Sequence, residues 1–446
     1  MTRAKAKPIL GSTIANTGWL VGDNVIRIAV GLLVGIWIAR YLGPAGFGLL
    51  SYAAAFVSLF SALSALGLDR IVIRQLVAAK LDASKVLGTA LRLKVAGGLT
   101  VLVVSTAVAY LLNPDEKLTV ILIAISALGT IAQAADVFDY HFQARIQSKY
   151  SAVARATAFH LLSAAKVGLM LLKAPLVAFA LAGLVESILA GILLWIAYRR
   201  QSPNAGSWQW DGITARELLR ESWSLMFAGV MITLYMRLDQ VMLKSLSTPE
   251  EMGKYAGAVR LSEAWYFVLI AMSASVFPKL VDASSISEAH FNLIVKRFYS
   301  AMILVSYAFA TALSLSSTPL SWLYGADFKG MEGMLFLCAW AGLFVGIGLA
   351  RGAYLTAKGL NRFQLCATTS GAVVNIGLNL YLIPRYGGTG AALATLVSYA
   401  FSGYLSSFFY KPARLQGWII TKLLLPWNAW RSLDWTELLD RLQRHA

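Results

Sequence analysis

The stretch Ile14–Ala39 reads IANTGWLVGDNVIRIAVGLLVGIWIA. Its length and apolar content suit one membrane-crossing helix, yet Asp23 and Arg27 sit inside it. Arg27 lies 13 residues in, so at helical rise it is roughly 20 Å deep, near the centre of a bilayer. A charge at that depth costs about 3 kcal/mol, so it must face a bundle interior or a watery cavity. Lys166, Glu186, Arg237, Asp239, Arg260 and Glu263 repeat the pattern in later apolar segments. A membrane protein with a polar, largely cationic interior points to handling of an anion.

Composition agrees. The chain has 446 residues, 58% hydrophobic and 14% charged, where a soluble protein carries about a quarter charged residues. The reading is an all-α polytopic membrane protein. The net charge of +17 would suggest nucleic acid in a soluble chain. Here the basic residues cluster in alternate loops, as orientation in a membrane requires, so no nucleic-acid partner is expected. Cys338 and Cys366 fall in apolar segments and imply no disulfide framework. The start, with Arg3, Lys5 and Lys7 before apolar residues, imitates a signal peptide. Asp23, Asn24 and Arg27 break its apolar core, and the expectation is a retained first helix.

About twelve spans are expected, near 14–39, 46–67, 86–112, 118–142, 151–173, 176–198, 221–246, 253–279, 292–316, 331–357, 363–384 and 388–410. Each is long enough for the ~30 Å hydrocarbon core, and Gly43-Pro44, Asn113-Pro114, Ala174-Pro175, Thr248-Pro249 and Gly387-Gly388 mark breaks between them. One set of loops holds Arg70, Arg74, Lys80, Lys85, Arg145, Lys149, Arg199, Arg200, Arg216, Lys296, Arg297, Lys358, Arg362, Lys411 and Arg414. The other set holds little beyond Arg40, Lys117, Lys173, Lys254, Lys329 and Arg385. Both termini are therefore expected in the cytoplasm.

The halves look related. Pro44 precedes Gly48 by four residues and Pro249 precedes Gly253 by four; the pairs Tyr52-Ala53 and Tyr255-Ala256 follow. A 6+6 architecture with parallel repeats is expected, with a binding site near the midplane. The expected organisation is an N-terminal six-helix lobe over 1–198, a cytoplasmic linker over 199–216, a C-terminal lobe over 217–411 and an amphipathic cytoplasmic tail over 412–446. The tail mixes Trp418, Ile419, Leu423, Trp427 and Trp430 with Lys422 and Arg431, and Asp434-x-x-Glu437 resembles a helix start.

Depth arithmetic tests the buried charges for partners. Around the turn at Glu250, Asp239 lies 11 residues before and Arg260 10 after, while Arg237 and Glu263 lie 13 to either side. Each pair shares a depth. Arg260 and Glu263 share a helix face, whereas Arg237 and Asp239 do not. A buried polar clamp between two helices and a substrate or coupling site both fit. Lys166 and Glu186 likewise flank Pro175 at similar depth. A static ion pair is the simpler reading there; a Glu186 without a partner would be a proton carrier. Asp23 is four residues from Arg27 on one face. It either neutralises Arg27 in cis or, as the depth favours, leaves it lining a cavity. Asp136, Asp139, His141 and His160 read as solvated helix ends, Arg351 as a snorkelling cation, and Asn375 and Asn379 as partners in hydrogen bonds between helices. No P-loop, no His-Glu-x-x-His and no metal-ligand spacing occurs, so no metal or organic cofactor is expected.

A resemblance rests on particular segments. Ala39-Arg40-Tyr41-Leu42-Gly43-Pro44 through Gly48-Leu49-Leu50-Ser51-Tyr52, then Gly67-Leu68-Asp69-Arg70-Ile71, resemble the first two helices of bacterial polysaccharide-biosynthesis flippases. These form the O-antigen and exopolysaccharide branch of the multidrug/oligosaccharidyl-lipid/polysaccharide exporter superfamily. Arg237-Leu238-Asp239-Gln240, Ala258-Val259-Arg260-Leu261-Ser262-Glu263, Lys358-Gly359-Leu360-Asn361-Arg362 and Asn375-Ile376-Gly377-Leu378-Asn379 are similar to that family's later motifs. The resemblance implies two six-helix lobes around a central cavity. It implies flipping of undecaprenyl-diphosphate-linked oligosaccharide across the bacterial inner membrane by alternating access, with other polysaccharide-assembly proteins as partners. Arg27, Arg237 and Arg260 would hold the diphosphate, with Lys166 contributing less, because forked guanidinium donors suit phosphate oxygens. Coupling to H+ or Na+ would fall to Glu186 or Asp239, with Glu263 and Asp23 as further candidates. The rival readings are a multidrug exporter of the same superfamily, whose cavity would be acidic, and a membrane-embedded glycosyltransferase or polymerase, which would show a large outward loop.

Overall fold

The structure, a computed structural model, describes residues 9–78, 82–202 and 208–433, with side chains from residue 25 onward apart from that of Ser285. Asp23, Asn24, Arg3, Lys5, Lys7, Lys80, the linker residues 203–207 and the Asp434–Glu437 motif are therefore outside the described residues or side chains. In chain order the helices are α1 (Ile9–Leu59), α2 (Ser61–Ala65), α3 (Leu68–Ala78), α4 (Ala83–Leu112), α5 (Lys117–Ala132), α6 (Asp136–Ala144), α7 (Ser148–Leu171), α8 (Leu176–Gln201) and α9 (Gly212–Leu246). Then come α10 (Pro249–Glu263), α11 (Tyr266–Ile286), α12 (Glu288–Leu315), α13 (Ser317–Tyr324), α14 (Met331–Ala357), α15 (Asn361–Gly403), α16 (Arg414–Leu423) and α17 (Pro426–Ser432).

Nine helices among the described residues are long and apolar enough to cross a membrane. Two of them are each a pair of expected spans run together across a kink. Gly43 in α1 takes φ 69° and Gly387 in α15 takes φ 53°. This left-handed region is open to glycine at little cost. Pro44 and Pro384 lie beside these kinks, and each lacks the N–H that a continuous helix would use. The remaining expected span is α7, 24 residues long, along which Arg155 and Lys166 lie. The eighth expected span is two helices, α10 and α11, interrupted at Ala264-Trp265.

Contacts divide the chain into two compact units, one of Met1–Leu42 with Leu49–Thr233 and one of Gly43–Gly48 with Leu234–Ala446. The division falls inside α9. In the first unit α4 packs on α5, α5 on α8, and α8 on α7. One core gathers Leu68, Val72, Val86, Leu87 and Leu218. A second gathers Phe138, Phe142, Leu194 and Tyr198. The described end of the expected linker is packed down: the Trp208 ring lies tilted against Phe138, with centroids 4.9 Å apart, and its indole N–H donates to the Tyr198 hydroxyl at 2.9 Å. Asp211 then caps α9 by accepting from the Thr214 amide at 2.9 Å.

In the second unit α14 is the central helix, in contact with α10, α11, α12 and α15. Its core includes Leu269, Tyr299, Ile303, Ile347 and Leu355. The segment after Pro412 joins that core. Ile420, Leu423 and Ala429 are buried, and α17 lies along α12. The two Pro-x-x-x-Gly segments meet within this unit. A Cβ on Gly253 would stand 1.9 Å from the Pro44 carbonyl oxygen, and one on Gly48 would stand 2.1 Å from the Pro249 carbonyl oxygen. Each repeat's glycine thus admits the other repeat's proline carbonyl.

Candidate functional site

Helices α5 to α8 in the first unit surround one cavity. It holds about 250 Å³ and is lined by Arg27, Gln133, Asp136, Arg155, Phe159 and Glu186, among others. Arg27 arrives from α1 and Glu186 from α8, so two residues singled out in the sequence share this cavity. Lys166 on α7 reaches Glu186 at 2.6 Å. The depth match across Pro175 is therefore a direct ion pair, and Glu186 has its partner.

Arg155 was not anticipated. One of its terminal nitrogens bridges Asp136 at 2.9 Å and Asp139 at 3.0 Å. Lys94 was also missed: it is 4% exposed, stands 3.6 Å from Asp136 and donates to the Tyr140 hydroxyl at 3.0 Å. Both lie in apolar spans, so the reasoning applied to Arg27 would have found them. The reading of Asp136, Asp139 and His141 as solvated helix ends is corrected here. Asp139 and His141 are buried, and Asp136 and Asp139 belong to the network. The reason is a 3₁₀ turn, Gln133–Ala135, between α5 and α6, after which α6 runs along α3 and α7 inside the unit. The result is a polar pocket inside the first unit. Arg155 on its wall is held by Asp136 and Asp139, the Lys94 and Lys166 ammonium groups pair with its lining residues Asp136 and Glu186, and Arg27 is also on the wall.

The second unit holds a tighter cluster. Arg237 on α9 pairs with Glu263 on α10 at 2.9 Å, as their shared depth implies. Asp239, expected level with Arg260, is 3% exposed and accepts hydrogen bonds from the Tyr255 hydroxyl, from the Thr395 hydroxyl at 3.0 Å and from the Gln240 amide at 2.7 Å. Beside it is a gap of about 10 Å³, lined by Asp239, Tyr255, Glu263, Thr395 and Tyr399 among others, which is room for about one water. Arg260 is exposed on α10. Tyr255 and Thr395 carry no charge, so no depth argument could single them out.

Arg351 corrects another expectation. It does not snorkel but is 0% exposed. It donates to the hydroxyls of Ser406 at 2.7 Å and Ser407 at 3.0 Å and to the Ser402 carbonyl. The chain folds back through a 3₁₀ turn, Leu405–Phe409, and covers it. Asn375 donates to Ser398 at 3.0 Å and accepts from Asn379 at 2.8 Å, which ties together the two arms of α15. Among the described residues no cluster of His, Cys, Asp or Glu is arranged to hold a metal ion.

The fold is one known from solved structures. An inward-facing multidrug resistance MATE family transporter of the MOP superfamily matches with a TM-score of 0.72 at 14% identity, covering 89% of this chain and 96% of that one. The lipid II flippase MurJ in an inward closed conformation matches with a TM-score of 0.70 at 15% identity, covering 91% of this chain and 90% of that one. At such identity these matches speak to the fold alone. A probable low-salt glycan biosynthesis flippase, Agl15, from Haloferax volcanii is 25% identical over 232 residues, 50% of this chain and 49% of that protein. The chain thus spans about half the length of this curated relative. Residues 13–284 match the family described as polysaccharide biosynthesis protein. That match takes in Arg27, Glu186, Arg237, Asp239 and Glu263. With nine membrane-length helices among its described residues, the chain is a multi-pass membrane protein, and on that match it belongs to the polysaccharide biosynthesis protein family.

Proposed function

We propose that this protein flips a polyprenyl-diphosphate-linked oligosaccharide, of the undecaprenyl type, across a bacterial inner membrane. It works as a secondary transporter with both termini in the cytoplasm, by alternating access. The observation that carries the reading is the polar cavity of the first unit, where Arg27 and Arg155 line a space inside a membrane-spanning bundle. Guanidinium groups held by carboxylates can exchange one partner for phosphate oxygens while staying charged. Family membership and the flippase named among its relatives support a lipid-linked glycan as the cargo class. Lys166 is held by Glu186 and contributes through that pair. Arg237 and Arg260 of the second unit are the remaining diphosphate candidates. Other polysaccharide-assembly proteins supply and consume the cargo, and O-antigen or exopolysaccharide is the product class.

Coupling to an ion gradient is assigned to Asp239. A carboxylate inside a membrane span that accepts from two hydroxyls beside a water-sized gap is arranged to exchange H+ or Na+. Glu263 and Glu186 are each already satisfied by a cation, which ranks them below it.

A leaflet-accessibility assay tests the proposal, with purified protein in vesicles and a lipid-diphosphate sugar. The wild type should translocate the probe, and Arg27→Gln should slow it at least tenfold with insertion and melting unchanged. Asp239→Asn should keep the hydrogen-bond acceptor and lose gradient dependence. Wild-type translocation by Arg27→Gln removes the cavity assignment. Export of lipophilic cations with no movement of the sugar lipid would make the protein a multidrug exporter instead.

A further inference from the structure

The second unit contains a larger groove that the transport reading leaves unused. It lies between α11 and α12, holds about 840 Å³, and has Leu433 among its lining residues. Met272, Val276, Ile294 and Phe298 make its apolar walls, and Lys279, Arg297 and His290 also line it, with Asp282 as the acid among its described lining residues.

Placement decides what such a groove meets. The candidate spans here are Pro249–Ser284, 36 residues, and Glu288–Leu315, 28 residues. At helical rise the shorter is roughly 42 Å long, more than the ~30 Å hydrocarbon core, so the ends joined at Ser287 reach the headgroup layer. Lys279 lies eight residues before Ser287 and Arg297 ten after it. The two helices pack against each other, so the two cations stand at about one level. Met272, Val276 and Ala301 lie further from the turn, toward the hydrocarbon. Pro278, inside α11, leaves the Ala274 carbonyl without its helical N–H partner and lets this wall bend. The order from the turn inward is thus a polar mouth, a cationic level and an apolar slot.

We propose that this groove is a binding site for an anionic phospholipid of the surrounding leaflet. The phosphate sits at the Lys279–Arg297 level and one acyl chain lies along Met272, Val276 and Phe298. A free phosphate would leave the apolar slot uncovered. The described lining carries Lys279 and Arg297 against one acid, Asp282, so an anionic headgroup suits it better than one that brings its own cation. The site is separate from the cavity of Arg27, so it stands whether or not the cargo is a glycan lipid.

Native mass spectrometry of the full-length protein tests this, with phosphatidylglycerol, phosphatidylcholine, undecaprenyl phosphate and inorganic phosphate as probes. Phosphatidylglycerol should be retained over phosphatidylcholine, and Lys279→Gln and Arg297→Gln should each weaken its retention roughly fivefold. Ser275→Trp, at an exposed position on the groove wall, should exclude the lipid by filling the slot, and keeps the test open where Arg297→Gln lowers stability. Four results would each overturn the proposal: equal retention of the two phospholipids; unchanged phosphatidylglycerol retention in the three variants; displacement by inorganic phosphate, which would mark a plain anion site; and preferential displacement by undecaprenyl phosphate, which would mark a cargo subsite.

Discussion

At the scale of single residues, the cost of burying charge organises both clusters. Arg351 shows it most simply: a guanidinium with no exposure, held by two serine hydroxyls and a carbonyl. Each hydrogen bond to a charged group is worth about 1.5–3 kcal/mol, and the hydroxyls can turn to other acceptors once the cation is gone. Arg351→Met should therefore lower stability by about 1–3 kcal/mol, read as a fall in melting temperature in detergent; an unchanged melt would show that the contacts are dispensable. The Arg237–Glu263 pair behaves differently because both partners are ionised. Arg237→Ala and Glu263→Ala should each destabilise, and the double variant should be milder than their sum, because removing both leaves no stranded charge. Additive losses in that cycle would mean the two side chains do not interact. Outside the spans, the Thr214 hydroxyl and then its amide hold the Asp211 carboxyl below the usual carboxylate range. A depressed carboxylate contributes fully above its unfolded pKa, and the contribution is lost as pH falls through the folded value. Asp211→Asn should flatten the acid limb of the stability profile, and an identical acid limb would argue against the cap.

At the scale of helices, glycine decides where segments meet. The reciprocal contacts of Gly48 with Pro249 and of Gly253 with Pro44 leave no room for a Cβ, and the obstacle is backbone, which cannot swing away. Gly253→Ala should cost about 3 kcal/mol or more, at the upper end for overpacking, and show as loss of folded protein by gel filtration. Gly333→Ala, with nothing within 4 Å of the new Cβ, is the matched control and should be neutral. The weak Pro-x-x-x-Gly repeat is legible in the sequence, but its spacing alone does not say that the two copies touch. At Gly43 and Gly387 the backbone leaves helical geometry, so α1 and α15 are each two helical arms meeting at a kink, one arm for each of the four expected spans.

At the scale of the whole molecule, orientation is the testable property. With Cys338 and Cys366 replaced by Ala, single cysteines at Lys149 and Lys358 should be labelled from one side of intact cells, and those at Lys117 and Lys329 from the other. Labelling of all four from one side would break the expected alternation of basic loops. Neither native thiol lies at a position the test needs; Cys338 is buried and Cys366 exposed.

Sequence alone was sufficient for the membrane class, for the approximate run of the helices and for the shared depths of Lys166 with Glu186 and of Arg237 with Glu263; that these pairs form is a fact of the packed chain. Those follow from two one-dimensional quantities: the run length of apolar residues, and the depth of a charge measured in helical rise from a turn. Depth says nothing about rotation around a helix axis or about which neighbour a helix chooses. For that reason Arg155 bridging two aspartates, Tyr255 and Thr395 on Asp239, and the burial of Arg351 under a returning 3₁₀ turn emerged only from the packed chain. The polar pocket of Arg27 and the amphipathic groove of Lys279 and Arg297 are both properties of that packing. The pocket joins side chains far apart in sequence, and the groove joins the facing sides of two successive helices.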